Sequence, residues 1–362
     1  MRYLSNQDVM AVLDMREALA ALRMGYADLA IGDAAYIPRI DIYAPTGRDE
    51  DYYRWGSMTG VSKSFGVTAI RIKSDVVSWP DEQTEEKYCI EPGTYSGIIL
   101  VYSIRNGEPL ALINDGYLQH MRVGASAGLG ADALARKDAV VVGMLGSGGM
   151  ARSYLEAIAL VRPLKAVKVF SPNAEHRRAY AEEMGERLNL DVSAVDSPEE
   201  AVRGADIVST ATDAMGATFD AAWVKPGAHI TCVTRRELDR AIVDRADLVA
   251  QLGIASIPSE FKIPHMEWPS SSMAAYVVGQ PDERARIPWS LHSEMRQYVN
   301  LVDIDTGRAQ GRTREDQITL FINTGTQGLQ FASVAGRVLQ LADERGLGQP
   351  MPTSWFLQDI RD

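Results

Sequence analysis

The spacing of apolar positions changes along the chain. From Leu4 to Tyr26 they recur at helical intervals (Leu4, Val9, Val12, Leu13, Leu19, Leu22, Tyr26). This predicts one amphipathic helix, capped by Ser5 or Asn6, running to about Ile31 and ended by Gly32 and Asp33. The interval then falls to two. Tyr36–Tyr43, Trp55–Gly60 and Ser64–Lys73 alternate as half-buried strands do. Alternation puts Arg71 and Lys73 on one face, opposite Ile70 and Ile72, and leaves open that one of the two basic side chains faces solvent. Residues 74–95 read as a polar, proline-containing loop of unusual length. Asn106-Gly107 joins Tyr95–Ile104 to Pro109–Ile113 as a hairpin. The first part of the chain is therefore expected to be α+β, on an antiparallel sheet.

A helix from about Gly116 to Leu134 follows, rich in glycine and alanine as close packing on another helix or a cofactor requires. Short apolar runs separated by helical stretches come next. Val140–Leu145, Leu164–Phe170, Asp191–Val195, Asp206–Thr212, His229–Val233 and Ala246–Leu252 read as strands of a βα series. Ser197-Pro198-Glu199-Glu200 opens one of the helices, with proline in the first turn and a capping box. Residues 254–296 show no readable period, and Thr319–Arg345 reads as a long final helix ended by Gly346. The fold class is α/β. A central Rossmann domain, a doubly wound parallel sheet, is expected at 131–314. An α+β substrate and dimerisation domain is expected from 1–130 and 315–362.

The first predicted strand of the βα series runs straight into Gly146-Ser147-Gly148-Gly149-Met150-Ala151, a G-x-G-x-x-A turn opening a helix. Gly146 permits the tight turn, Gly148 admits a pyrophosphate to the backbone, and Ala151 keeps the helix close to the sheet. The helix N-terminus adds unpaired N–H groups and a positive dipole end. A dinucleotide site follows from strand, turn and helix in that order. Thr210, Ala211, Thr212, Val233 and Thr234 follow later strands and are placed to line the nicotinamide side, since ligands bind beyond the carboxyl ends of parallel strands. The end of the second strand, Phe170-Ser171-Pro172-Asn173, carries no acid for a ribose hydroxyl. Ser171, Asn173 and Arg177 could instead meet a 2′-phosphate, which favours NADP(H). Glu175 keeps NAD(H) open, as does the reading in which Ser171–Asn173 only cap the next helix.

The 362 residues, 46% hydrophobic, allow two domains with ample core. A net charge of −11 argues against nucleic acid or a membrane surface as partner, and no apolar run reaches the length of a membrane span. Cys89 and Cys232 form no C-x-x-C pair, which suits a reducing cytoplasm. The scattered histidines read as non-ligands, so no metal is expected.

The stretches YSGIILVYSIRNGEPLALINDGYLQHMRVGASAGLGADALARKDA, GMLGSGGMA and GRTREDQITLFINTGTQGLQ together resemble the ornithine cyclodeaminase/μ-crystallin family. The resemblance implies a homodimer, a nicotinamide cofactor and a small carboxylate substrate. It also implies an Arg–Lys–Arg carboxylate clamp, which by motif falls on Arg39 (IPRI), Lys73 (IRIKSD) and Arg122 (HMRVGAS). Arginine grips a planar carboxylate with two donors and lysine as a point charge. A desolvated Lys73 could also move a proton at the imine nitrogen.

Several positions depart from the cyclodeaminase pattern. The loop after the fifth Rossmann strand is short and lacks the family aspartate. Glu237 and Asp239 read there as helix-capping charges. Trp55–Met58 stands where an acid would handle the ornithine side chain, Gln330 where aspartate is common, and Val123 where threonine is common. Hydride transfer survives these losses, since the cofactor carries that chemistry. The expected activity is an NAD(P)H-dependent imine reductase or amino-acid dehydrogenase. A cyclodeaminase with recycled NAD and a non-catalytic ligand binder are the alternatives. Arg235 and Arg236 suggest a second anionic group on the substrate, or are surface arginines on a turn.

Overall fold

The computed structural model describes residues 1–80, 84–253, 266–267, 274–287 and 298–360. Two sheets organise them. The parallel sheet runs, in spatial order, Asp191–Ala194, Ala166–Phe170, Val141–Leu145, Ile207–Thr210, His229–Cys232, Thr319–Ile322, Leu248–Gln251 and Val299–Asn300. Every pairing in it is parallel. The order reverses beside Val141–Leu145, which opens the crevice of a doubly wound sheet directly above the glycine turn. The second sheet, mainly antiparallel, is built on the long strands Asp51–Ser62 and Val67–Ser78, with Ile40–Pro45 on one side and Gly97–Ser103 and Pro109–Asn114 on the other. The expected α/β class with a Rossmann domain is what the structure has.

Several expected elements are corrected. The first helix is two, Asn6–Val12 and Met15–Ile31, because the Asp14 side chain accepts from the Glu17 N–H and starts a new helix. The strand through Lys73 continues to Ser78 in register with Asp51–Trp55, and Glu86–Cys89 folds back on it. Much of the expected 74–95 loop is therefore sheet, while residues 81–83 lie outside the described residues.

Thr319–Arg345 is not one helix. Thr319–Ile322 is a strand inserted between His229–Cys232 and Leu248–Gln251, and the helix begins at Gln327. The run Ile318–Ile322 is apolar throughout apart from Thr319, and such a run reads equally as strand or buried helix. The segment 315–362 thus does not return wholly to the first domain. Conversely, Ala274–Val277 pairs with Ile40–Pro45 in the other sheet. Most of 254–296, for which the sequence predicts no structure, lies outside the described residues.

The helix Gly116–Leu134 joins the two halves. Its small residues have a packing reason: a Cβ at Gly124 would strike the Ser153 backbone of the helix Gly149–Val161, and one at Gly130 would strike the Phe321 ring. Helix Gln327–Arg345 lies across the inner face of the antiparallel sheet, with Gly328 against Thr59 and Gly60. A core of Leu22, Tyr26, Ile99, Ile113, Leu118 and Phe331 fills the space between. No helix among the described residues is long and apolar enough to cross a membrane.

Candidate active site

The glycine turn has the geometry its residues predict. Gly146 sits at φ +109°, where a side chain is strained, and a Cβ there would strike the Ala211 carbonyl oxygen. Gly148 is the N-cap of helix Gly149–Val161 and has open space where a Cβ would be. Gly149 is covered by the His120 imidazole. Ser147 Oγ lies 2.9 Å from Ser171 Oγ, Met150 packs on the core, and Ala151 is fully buried with its carbonyl accepting from Tyr180. The residues present fit a dinucleotide: an open backbone cradle, unpaired N–H groups and a helix N-terminus.

At the adenosine end, the Asn173 side chain accepts from the Glu175 and His176 N–H groups and so caps its helix. The Arg177 guanidinium donates to the Ser171 carbonyl, pairs with Asp196 at 2.6 Å and lies over the Phe170 ring. At the nicotinamide end, Ala211 N–H donates to the Leu145 carbonyl, and Val233 N–H to that of Thr210. Thr210 Oγ1 is buried without a partner. Glu237, also fully buried, ties this rim together: it accepts from Thr212 N–H and Oγ1 and from Thr234 N–H. Burial pushes its carboxyl up against those bonds. Glu237 and Asp239 cap the turns that follow the strand, as expected.

Across the crevice, the inner face of the antiparallel sheet is charged. Register sets Asp41, Gly56, Lys73 and Gly97 side by side on four strands, with Tyr43, Arg54 and Asp75 on the next row. Gly56 makes this possible: a Cβ there would collide with Asp41 Oδ1 and crowd the Lys73 stem. Lys73 is 6% exposed and Arg71 8%, so both point inward and neither faces solvent. Lys73 Nζ lies 3.3 Å from Asp75 Oδ2. Burial, then the Arg39 and Arg54 charges, hold its ammonium well below the ordinary lysine range. Arg39 is forked onto Asp41 at 3.0 and 2.8 Å. Against burial, Arg39 and Lys73 keep that carboxylate ionised. Arg71 is paired with Asp115 at 2.5 Å.

Arg122, on the helix Gly116–Leu134, differs from these. Its guanidinium is buried, lies over the Phe331 ring, and donates to Gln330 Oε1 at 2.9 Å and Gln119 Oε1 at 2.9 Å. Both acceptors are neutral amides. Burial, with Arg71 and Arg39 nearby, pushes it down to about 9, which leaves it charged at neutral pH. The structure thus sets Arg39 within electrostatic reach of both Lys73 and Arg122. Arg236 is not a surface residue: its side chain is 10% exposed and reaches Glu85. Arg235 donates to the Leu238 carbonyl.

Sequence reasoning missed Asp41, Asp75, Arg54 and Glu85. The first two stand two residues from Arg39 and Lys73, so the same alternation could have found them. Arg54 lay just outside the strand as read, and Glu85 inside the supposed loop.

The Rossmann sheet thus sets its glycine turn on one side of a crevice, and the antiparallel sheet sets buried cations on the other. The particular family follows from similarity. Residues 76–335 match the ornithine cyclodeaminase/mu-crystallin family, and the chain belongs to it. It is 30% identical to an uncharacterized cyclodeaminase of Sinorhizobium fredii over 70% of this chain and 72% of the relative. It is 27% identical to a Delta(1)-pyrroline-2-carboxylate reductase of Bacillus cereus, over 78% and 80%. Among solved structures, the Thermococcus litoralis Delta(1)-pyrroline-2-carboxylate reductase in complex with NADH and L-proline shares the fold. Its TM-score is 0.75 at 24% identity, covering 97% of this chain and 100% of that one.

Proposed function

We propose that this protein is an NAD(P)H-dependent oxidoreductase of imino or amino acids, an imine or ketimine reductase or an amino-acid dehydrogenase. The observation that carries this reading is Arg122, a buried guanidinium whose hydrogen-bond partners are neutral amides. Burying an unpaired charge costs several kcal/mol, and a substrate carboxylate offsets that cost. Arg39 and Lys73 complete the grip. Lys73, desolvated and in contact with Asp75, holds or moves the proton at the substrate nitrogen. When bound, the nicotinamide supplies the hydride at the α-carbon. Ala211, Thr212 and Val233 line its side of the crevice, Thr210 being fully buried beneath them rather than on the surface as the sequence suggested, and the 146–151 turn holds the pyrophosphate.

NADP(H) is the preferred cofactor in this reading, with NAD(H) second. The end of strand Ala166–Phe170 carries no acid of its own, and Arg177 meets Ser171 there, paired with the exposed Asp196 that a 2′-phosphate would replace. The capping role of Asn173 weakens its own part in that contact. The protein is a homodimer in this reading. The outer face of the antiparallel sheet leaves Ile42 36% and Ile98 38% exposed beside the half-buried Ile70 and Ile72. Both cysteines are free, which suits a cytoplasmic location.

The test is NADPH and NADH consumption with 2-oxo acids plus ammonia or methylamine, and with cyclic imines. Turnover with at least one acid is expected, faster with NADPH. Oxidation of neither cofactor by any of them overturns the reading. Steady ammonia release from ornithine without net cofactor turnover marks a cyclodeaminase instead.

A further inference from the structure

We propose that Arg54 and Arg236 form a second anion-binding subsite, which takes a carboxylate at the far end of the substrate side chain. This rests on the reductase reading and adds the class of substrate, an imine derived from a dicarboxylic 2-oxo acid.

The two guanidinium groups share one carboxylate. Arg54 Nη1 lies 3.2 Å from Glu85 Oε1, and Arg236 Nη1 lies 3.5 Å from Glu85 Oε2. Arg54 also reaches Asp75 Oδ2 at 3.2 Å, but that oxygen is shared with Lys73. Each of these is a single long contact, unlike the fork of Arg39 on Asp41. The Nε atoms of both Arg54 and Arg236 are buried with no hydrogen-bond partner, and their side chains are 2% and 10% exposed. An Nε–H with its neighbouring Nη–H forms the edge that holds a carboxylate side-on. Buried polar groups are normally satisfied, so two orphaned arginine Nε atoms around one carboxylate point to a missing acceptor.

The nearby carboxylates do not fill that need. Asp41 is held in the fork of Arg39. Glu237, next to Arg236 in the chain, has both oxygens engaged by Thr212 and Thr234. Asp75 and Glu85 together face Lys73, Arg54 and Arg236, and the half-exposed Lys87 adds a further cation 3.2 Å from Glu85.

The location suits a substrate side chain. Arg54 stands two residues along its strand from Gly56, the register partner of Lys73, which is roughly 7 Å of strand rise. A side chain of a few carbons covers that distance. Glu85 N–H donates to the Asp213 carbonyl and Thr84 bridges to Ala214, so this segment is pinned to the loop after strand Ile207–Thr210. Arg236 follows the next strand, His229–Cys232. The pair therefore sits where the two lobes meet, at the open end of the parallel sheet.

The test compares 2-oxoglutarate with 2-oxopentanoate, each with ammonia and reduced cofactor, in wild type and in Arg236→Met. Arg236 has one long ion pair, so its loss disturbs the fold less than loss of Arg54. Wild type should favour the dicarboxylate by about 100-fold in kcat/KM, and Arg236→Met should abolish that preference. Arg236→Lys, which keeps the charge but loses the fork, should give an intermediate ratio. A wild-type ratio near one, or a ratio unmoved in Arg236→Met, overturns the proposal. If neither acid turns over, the wider panel with methylamine and cyclic imines decides the reductase reading separately, and calorimetry of glutarate against pentanoate on the cofactor-loaded protein decides the subsite. Tighter glutarate binding that Arg236→Met abolishes supports it, and equal binding of the two acids overturns it.

Discussion

Substituting Gln330→Glu tests the central claim that Arg122 is left uncompensated for a substrate. Gln330 is fully buried on helix Gln327–Arg345, and its Oε1 accepts from Arg122 Nη1 at 2.9 Å. Its Nε2 donates to the Tyr26 hydroxyl at 3.0 Å. The glutamate is isosteric and puts a carboxylate oxygen at the same distance, while Tyr26 can turn to donate to the other oxygen. Arg122 then has an internal counter-ion that competes with the substrate. A hydrogen bond to a charged group is worth about 1.5–3 kcal/mol, so KM for the acid substrate should rise roughly 10- to 150-fold. The effect should fall on KM much more than on kcat, because the bond lost is made equally in the ground and transition states. Steady-state kinetics over a range of acid concentration read this directly, with a thermal melt to show that the fold is intact. An unchanged KM in a folded variant would refute the assignment of Arg122 to the carboxylate.

Other consequences follow from the same geometry. Gly146→Ala should weaken NADPH binding more than 10-fold by fluorescence titration and destabilise the protein by about 1–3 kcal/mol, because the residue is held at φ +109° against the Ala211 carbonyl. Native affinity would show that the turn is not the cradle. Lys73 is protonated only below its lowered pKa. Imine reduction, which consumes a proton, should therefore fall as pH rises through that value, well below the ordinary lysine range. Amine oxidation should rise over the same interval. A profile identical in Lys73→Met would remove the lysine from proton transfer. Glu237→Gln replaces one of the oxygens facing the Thr212 and Thr234 N–H groups with an amide NH2. It should cost about 1–3 kcal/mol in chemical denaturation, the desolvation penalty of an unsatisfied buried donor; no loss would mean the rim does not depend on that carboxylate.

Much of this was legible along the chain because it is local. The strand, glycine turn and helix at 141–161 follow from a continuous apolar run, an obligatory positive φ and small residues spaced for close packing. The hairpin across Asn106-Gly107 and the helix Gly116–Leu134 likewise carry their own signals. The order of motifs sufficed for the family, and so for an Arg–Lys–Arg expectation. What lay beyond reach was pairing between distant segments. Nothing local marks Thr319–Ile322 as a strand of the parallel sheet, since its partners lie far away in the sequence and a short apolar run fits either geometry.

The charges divide in the same way. The sequence by itself determined which residues are basic and, through alternation, that Arg71 and Lys73 share a face. Only the tertiary structure decided which of them keep a counter-ion. Register brings Asp41 and Lys73 to either side of Gly56, and helix Gln327–Arg345 carries a neutral amide to Arg122. The antiparallel sheet and the loop after His229–Cys232 close on each other with Arg54 and Arg236 sharing Glu85 and with the Nε of each left without an acceptor. Charge compensation depends on distances across strands and lobes, and those distances exist only once the chain has folded.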